Sequence, residues 1–241
     1  MDSLKRILKY IYYRFYKPRL YSSFQNYSIS DEQLKFIHIL EALNYLRVTG
    51  ENGKVLPQNY FEFGCHSGRT FSAAINAGKF LKMDSLKVYA FDSFEGLPET
   101  NEDDGYFQAG TFKTSAAKFK KIVKSKTGVV LKEDQIIKGY YEKSLNDELV
   151  EKMPKLGVLH IDVDLYSSTV SVLNFVKPLL SDGSIILFDD FYCFKPTSPS
   201  GEKKALIEFL SDNQEISIIP WKAYSTFGQS FFVKIDHSNN V

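Results

Sequence analysis

Short apolar runs that end in acidic residues recur along the chain, separated by segments with helical periodicity. There are four such runs, each with carboxylates at or near its end: 60–63 with Glu62, 88–91 with Asp92, 158–161 with Asp162 and Asp164, and 185–188 with Asp189 and Asp190. Apolar runs of this length that alternate with helices are typical of parallel strands joined by helical crossovers. Because ligands bind outside the carboxyl ends of the strands in such sheets, we expect these acids to border a ligand site.

The remaining pattern completes an alternating array of strands and helices. Helical periodicity predicts helices over 70–81, 115–126, 168–180 and 203–210, with a short strand at 136–138. Two apolar segments near the C-terminus, 216–221 and 230–235, predict a hairpin. Ahead of the array, Ser30 and Gln33 have the spacing of a capping box at the start of another helix. The pattern predicts an α/β, Rossmann-like fold: a seven-stranded, mostly parallel sheet with a C-terminal antiparallel hairpin and an N-terminal helical extension.

The first nineteen residues combine a basic pattern with an apolar one. They carry six basic residues against the single acid Asp2, and apolar side chains recur at helical spacing at positions 4, 7, 8, 11 and 15. Charges interrupt the apolar core that a signal peptide would need. Two interpretations stay open: a helix on an anionic membrane surface, with peripheral contact through residues 1–20, or a helix packed on the core or on a second subunit of a homo-oligomer.

Composition limits the classes of partner. The 241 residues suffice for one large domain, and 30 basic residues balance 29 acidic ones. This balance argues against nucleic acid as a partner, since phosphate neutralisation needs a basic excess. Cys65 and Cys193 form no CxxC pair, which favours a reducing, cytoplasmic location, at the inner membrane surface if the N-terminal helix binds lipid. No run of eighteen apolar residues is present to span a membrane.

A turn with two glycines follows the first predicted strand. Gly64 and Gly68 are spaced as GxxxG around Ser67, whereas a dinucleotide site would show GxGxxG. The carboxylate of Glu62 would repel a pyrophosphate but attract the ammonium group of S-adenosylmethionine. Asp92, at the end of the second strand, can accept both hydroxyls of a ribose. The pattern favours S-adenosylmethionine over NAD, with a tight turn in another Rossmann-like protein as the alternative.

Four aspartates follow the third and fourth strands, namely Asp162, Asp164, Asp189 and Asp190. Four carboxylates this close would repel each other unless a cation lay between them. Mg²⁺ takes oxygen ligands and keeps coordination positions open for substrate oxygens. Such an ion could bind two neighbouring hydroxyls and lower the pKa of one, while an aspartate takes its proton as general base. An octahedral site needs only two or three carboxylates, so we expect at least one of the four to cap a helix or bind loop N–H groups.

Four segments of the chain resemble the macrocin-type sugar O-methyltransferases. They are 62–68, 91–98 (FDSFEGLP), 160–169 (containing DVDLYSST) and 188–191, and the resemblance extends over about 60–235. It implies a class I methyltransferase that depends on S-adenosylmethionine and commonly uses Mg²⁺. It also implies site residues: Glu62, Gly64, Gly68 and Asp92 on the cofactor, with Ser93 beside the adenosine, and Asp189, Asp190 and either Asp162 or Asp164 on the metal. Whichever of the last two binds metal is also the candidate base.

We therefore predict an S-adenosylmethionine-dependent O-methyltransferase domain over 55–241, preceded by a basic helical segment over 1–54. Ser67 is added to the predicted cofactor site because it lies in the GxxxG turn. The expected acceptor is a sugar hydroxyl of a glycan, glycolipid or glycosylated natural product. Two alternatives remain: an NAD-dependent oxidoreductase, disfavoured by the GxxxG spacing, and a binding protein on a degenerate fold, disfavoured by the retained acids.

Overall fold

A computed structural model gives the architecture of most of the chain. It describes residues 30–51, 56–99, 108–194 and 197–236. The segment 1–20 and the domain boundary predicted between residues 54 and 55 both lie outside the described residues. Within the described ranges, no helix is long and apolar enough to cross a membrane.

The described residues form a seven-stranded sheet. Its strands are β1 (Asn59–Phe63), β2 (Lys87–Asp92), β3 (Ile136–Lys138), β4 (Val158–Ile161), β5 (Ile185–Phe188), β6 (Ile216–Ala223) and β7 (Gln229–Ile235). Their order across the sheet is β3-β2-β1-β4-β5-β7-β6. Strands β1 to β5 pair in parallel, whereas β7 runs antiparallel to both of its neighbours, β5 and β6. The predicted mostly parallel sheet with an antiparallel C-terminal hairpin is confirmed.

Seven α-helices flank the sheet in the described ranges. They are α1 (Asp31–Glu51), α2 (Arg69–Phe80), α3 (Ala116–Thr127), α4 (Tyr141–Ser144), α5 (Asp147–Lys152), α6 (Tyr166–Val176) and α7 (Gly201–Asp212). Short 3₁₀ turns occupy Glu133–Gln135 and Lys177–Leu179. The sequence analysis did not predict α4 and α5, because one or two helical turns are too short to show a periodicity.

Helix α1 begins with the predicted capping box and joins the core. The backbone N–H of Ser30 donates to Gln33 Oε1 at 2.8 Å, and the N–H of Gln33 donates to Ser30 Oγ at 3.2 Å. One face of the helix is then fully buried, at Ile39, Ala42, Leu43 and Leu46. These positions have the i, i+3, i+4, i+7 spacing of an amphipathic helix. Helix α1 is therefore packed into the same core as the sheet.

Strand β1 is buried on both faces, and its pleat decides where Glu62 lies. Phe61 and Phe63 pack with helices α6 and α7, whereas Tyr60 packs with α1, α2 and α3 on the other face. Successive side chains of a strand alternate between faces, so Glu62 points to the same face as Tyr60. It is fully buried there.

Strands β4 and β5 end with the predicted apolar runs 158–161 and 185–188, before the aspartates. Their last residues are Ile161 and Phe188, so Asp162 and Asp164 follow one strand and the Asp189-Asp190 pair follows the other. Asp164 has a φ of 61°, in the left-handed region that aspartate tolerates better than most residues. This sharp turn leads directly into α6, so the approach of Asp164 to Asp162 depends on the turn and not on a continuing strand.

Candidate active site

A cavity of about 320 Å³ opens at the carboxyl edge of β1, β2, β4 and β5, where the sequence analysis expected the ligand. Seven of the ten predicted site residues line it: Gly64, Asp92, Ser93, Asp162, Asp164, Asp189 and Asp190. The other three predicted residues, which the structure also describes, do not line the cavity: Glu62, Ser67 and Gly68. The acids thus separate into Asp92 on the β2 side and the aspartates that follow β4 and β5.

Asp92 is held at the cavity wall by the turns on either side of it. Its Oδ2 accepts the backbone N–H of His66 at 2.8 Å, and its Oδ1 accepts that of Phe94 at 2.6 Å. Burial raises the pKa of Asp92, and the donated N–H bonds oppose that rise. Each carboxylate oxygen can accept more than one hydrogen bond, so both can still accept a ligand hydroxyl. Ser93, the next residue, donates its hydroxyl to the Gly96 carbonyl at 2.7 Å and so closes the following turn.

Apolar and aromatic side chains line the cavity on the β2 side. The lining includes Leu97, Pro98, Phe112, Tyr140 and Tyr141. The ring of Phe112 is 54% exposed and meets the ring of His66 edge to face, with centroids 5.9 Å apart. A flat aromatic group such as a nucleobase can pack against rings of this kind. Leu97 and Pro98 belong to the FDSFEGLP segment but were not predicted as site residues, and no sequence motif marks Phe112, Tyr140 or Tyr141.

Three carboxylates converge on the opposite side of the cavity. One oxygen from each of Asp162, Asp164 and Asp190 lies within 4.8 Å of the other two. Burial raises the pKa of all three, and repulsion from neighbouring aspartates, that of Asp189 in the case of Asp190, raises it further; the pKa of Asp164 rises to about 8. Converging carboxylate oxygens are the donor set of a hard divalent cation, which would relieve their repulsion. The residues present therefore fit Mg²⁺.

The fourth aspartate, Asp189, already has a cationic partner. The ammonium group of Lys35, on α1, contacts Asp189 Oδ2. His160 Nε2 lies 3.8 Å from Oδ1, within ion-pair range but too far for a hydrogen bond. Burial alone would raise the pKa of Asp189, but His160 and Lys35 hold it below its usual range. Among the described residues, the hydrogen-bond partner of the Asp189 side chain is thus a lysine and not a helix end or a loop N–H group.

Glu62 lies beneath the cavity in a buried polar network. Its oxygens accept the hydroxyls of Tyr60, at 2.5 Å, and of Thr70, at 2.8 Å. His160 Nδ1 lies 3.5 Å from the same carboxylate. Burial lowers the pKa of His160, but Asp189 and Glu62 outweigh that effect and raise it to about 10. The geometry supports Glu62 as an anchor for His160, and its predicted contact with a ligand stays a prediction.

The two turn glycines allow close approach of protein atoms. A Cβ on Gly64, where φ is 84°, would lie 1.7 Å from the carbonyl oxygen of Asp162. A Cβ on Gly68, where φ is 73°, would lie 2.9 Å from the ring of Phe119. Both glycines were predicted to contact the cofactor, and that contact stays a prediction. The structure shows that Gly68 makes room for α3 and that Gly64 both borders the cavity and brings β1 against β4.

Solved structures with this strand arrangement are Rossmann-like methyltransferases. The O-methyltransferase NovP superposes with a TM-score of 0.65 at 21% identity, covering 83% of this chain and 79% of that chain. The calicheamicin methyltransferase CalS11 gives a TM-score of 0.62 at 19% identity, covering 96% and 91%. Its apo form is described as a TDP-rhamnose 3'-O-methyltransferase. The fold is thus the Rossmann-like fold of these O-methyltransferases.

The chain belongs to the macrocin-O-methyltransferase (TylF) family, whose sequence model matches residues 53–211. Mycinamicin III 3''-O-methyltransferase of Micromonospora griseorubida is 28% identical over 151 residues, which are 57% of this chain and 56% of that protein. The chain spans about half the length of the curated relatives that it matches.

Proposed function

We propose that this protein transfers the methyl group of S-adenosylmethionine to a sugar hydroxyl, assisted by Mg²⁺. One observation carries the proposal: a single cavity has Asp92, a carboxylate suited to a ribose, on one side and three converging aspartates on the other. Membership of the family supports methyl transfer to oxygen. The sugar acceptor is supported by CalS11, which acts on TDP-rhamnose by its description.

The residues of the chain suggest how the reaction would be assisted. Asp162, Asp164 and Asp190 would hold the metal, which when bound supplies a Lewis acid that lowers the pKa of a hydroxyl. Asp162 and Asp164 both border the cavity, so either can take the proton from the acceptor. Lys35 cannot serve as this base, because the surrounding aspartates outweigh its burial and raise its pKa further above neutrality. The apolar wall around Phe112 would exclude water from the cofactor.

Calorimetric titration of S-adenosylmethionine, S-adenosylhomocysteine and NAD, each with Mg²⁺ and with chelator, tests the cofactor. Binding of both S-adenosyl compounds and none of NAD is the expected result. Binding of NAD alone would instead support the oxidoreductase. A protein that binds the S-adenosyl compounds but forms no S-adenosylhomocysteine with TDP-rhamnose or other glycosyl acceptors would point to the non-catalytic alternative.

Replacing Asp92 by asparagine is expected to weaken S-adenosylmethionine binding by about 10- to 100-fold, or about 1.4–2.7 kcal/mol. An amide offers one acceptor oxygen, so it cannot keep both backbone N–H bonds and also accept two ribose hydroxyls. Asp182→Asn is the matched control, because Asp182 also accepts a backbone N–H, that of Ile235 at 3.0 Å, but does not line the cavity. Equal affinities of the two variants would contradict the role of Asp92.

The basic segment at the N-terminus is proposed to bind anionic membranes from the cytoplasmic side, in keeping with the free thiols of Cys65 and Cys193. Deleting residues 1–20 should abolish sedimentation with anionic vesicles and leave cofactor binding intact, with neutral vesicles as the control. A truncated protein that still sediments would contradict the proposal. If instead the deletion changes the oligomeric state measured by light scattering, the segment packs on a second subunit.

A further inference from the structure

Lys35 brings a positive charge of the protein itself into the acidic side of the cavity. Its ammonium group contacts Asp189 Oδ2, lies 3.9 Å from Asp31 and belongs to a side chain that is 21% exposed. The side chain lines the cavity together with the four aspartates. Lys35 is therefore placed where a divalent ion would also seek carboxylate oxygens.

Helix α1 is fixed on both sides of Lys35. One turn before it, Asp31 Oδ1 accepts the backbone N–H of Thr226 at 2.7 Å. One turn after it, the buried ring of His38 lies 2.8 Å from Ser230 Oγ. These contacts join α1 to the β6–β7 hairpin and the turn that connects its strands. Because these contacts fix α1 against the hairpin, they also fix the position of Lys35 beside Asp189.

One carboxylate oxygen of Asp189 receives no hydrogen bond from its cationic neighbours. The Oδ1 atom is buried and accepts no hydrogen bond from the described residues. The whole residue is 5% exposed. A buried carboxylate oxygen without a donor is unfavourable, and a metal ion would satisfy it. Asp189 directly precedes Asp190, one of the three converging acids, so its carboxylate borders the candidate metal site.

We propose that Lys35 and the divalent ion compete for Asp189, so that Lys35 sets the metal affinity of the site. In the metal-free protein the ammonium group occupies Asp189, and metal binding exchanges that partner for the ion. This inference rests on the proposed metal site. Removing the lysine charge frees the Asp189 carboxylate, so the ion no longer has to displace a cationic partner and should bind more tightly.

The test is calorimetric titration of Mg²⁺ and Mn²⁺ into the full chain without cofactor. Lys35→Gln is expected to bind each ion at least about tenfold more tightly than the unaltered protein, which is about 1.4 kcal/mol. Lys35→Met, which keeps the apolar stem, should behave in the same way, and Lys35→Arg should stay within about threefold of the unaltered protein. Lys152→Gln removes an exposed lysine paired with Glu148 and should change nothing.

The same substitution in an Asp189→Asn protein tests whether the Lys35 ammonium group and the metal ion compete for the Asp189 carboxylate. In Asp189→Asn protein, the further change Lys35→Gln should alter metal affinity by less than about threefold, because the contested carboxylate is gone. Circular dichroism and urea unfolding of each variant establish that α1 and the fold are kept.

Three outcomes would overturn the inference. Unchanged or weaker metal binding by folded Lys35→Gln and Lys35→Met would overturn it and leave the proposed function standing. If Lys35→Gln still raised metal affinity tenfold in the Asp189→Asn background, the lysine would act through its charge in general and not by competing for Asp189. Absence of metal binding by every protein in the set would overturn the metal-assisted function as well.

Discussion

Asp164→Asn is expected to lower kcat for methyl transfer by about 10²- to 10⁴-fold, the range associated with a positioned general base or a lost charged ligand. Its carboxylate borders the cavity and converges with those of Asp162 and Asp190. Asparagine tolerates the left-handed φ of 61° at this position, so the turn into α6 should be kept. Formation of S-adenosylhomocysteine with TDP-rhamnose as a probe acceptor measures the effect. Binding of S-adenosylmethionine should stay within about threefold, because the cofactor residues are untouched.

The same change at Asp162 distinguishes the base from the metal ligand. A variant that loses turnover but keeps its affinity for Mg²⁺ marks a base that does not bind the metal, and a variant that loses both marks a metal ligand, which can also be the base. Asp182→Asn again serves as the control for replacing an aspartate outside the cavity. If Asp164→Asn kept more than about a tenth of the original turnover, Asp164 would be neither base nor essential ligand.

Gly64→Ala is expected to destabilise the fold by about 2–5 kcal/mol. About 1–2 kcal/mol arises from forcing a residue with a Cβ into the left-handed region. About 1–3 kcal/mol more arises from overpacking. The new Cβ would lie 1.7 Å from the carbonyl oxygen of Asp162, and that oxygen belongs to backbone that cannot rotate away. Urea unfolding measures the loss, and the displaced Asp162 should also weaken metal binding.

Gly128→Ala is the matched control for this change. Gly128 has a φ of 72°, close to the 84° of Gly64, but a Cβ there meets no atom within 4 Å. Gly128→Ala should therefore lose only the free energy of forcing a residue with a Cβ into the left-handed region, about 1–2 kcal/mol. Equal losses of stability in the two variants would mean that the contact between β1 and β4 is not tight.

The sheet and most of the acids could be predicted because their signals are local. The run 185–188 is apolar throughout, and the two aspartates that follow it are adjacent in sequence. Parallel strands then bring their carboxyl ends to one edge without further information. For this reason Asp92, Asp162, Asp164 and Asp190 all border the cavity as expected.

The rest of the site depends on tertiary packing that no local pattern reveals. Lys35 looks like a solvated position of an amphipathic helix, yet its partner Asp189 lies 154 residues away. Glu62 looks like a ligand group because it precedes a glycine turn, but the pleat of β1 buries it beside His160. The glycine spacing predicts contact with the cofactor, whereas only the fold shows that the backbone of Asp162 fills the space beside Gly64.

The packing of α1 against the C-terminal hairpin limits which segments of this protein can be exchanged with those of a relative. Its contacts with the C-terminal hairpin include the salt bridge from Glu41 to Lys222, at 2.8 Å, and the contact of His38 with Ser230. A chimera that took the N-terminal region from one relative and the sheet from another would lose these pairs unless both partners were transferred. Residues of α1 and of the hairpin would have to be exchanged together to keep the stability of the fold.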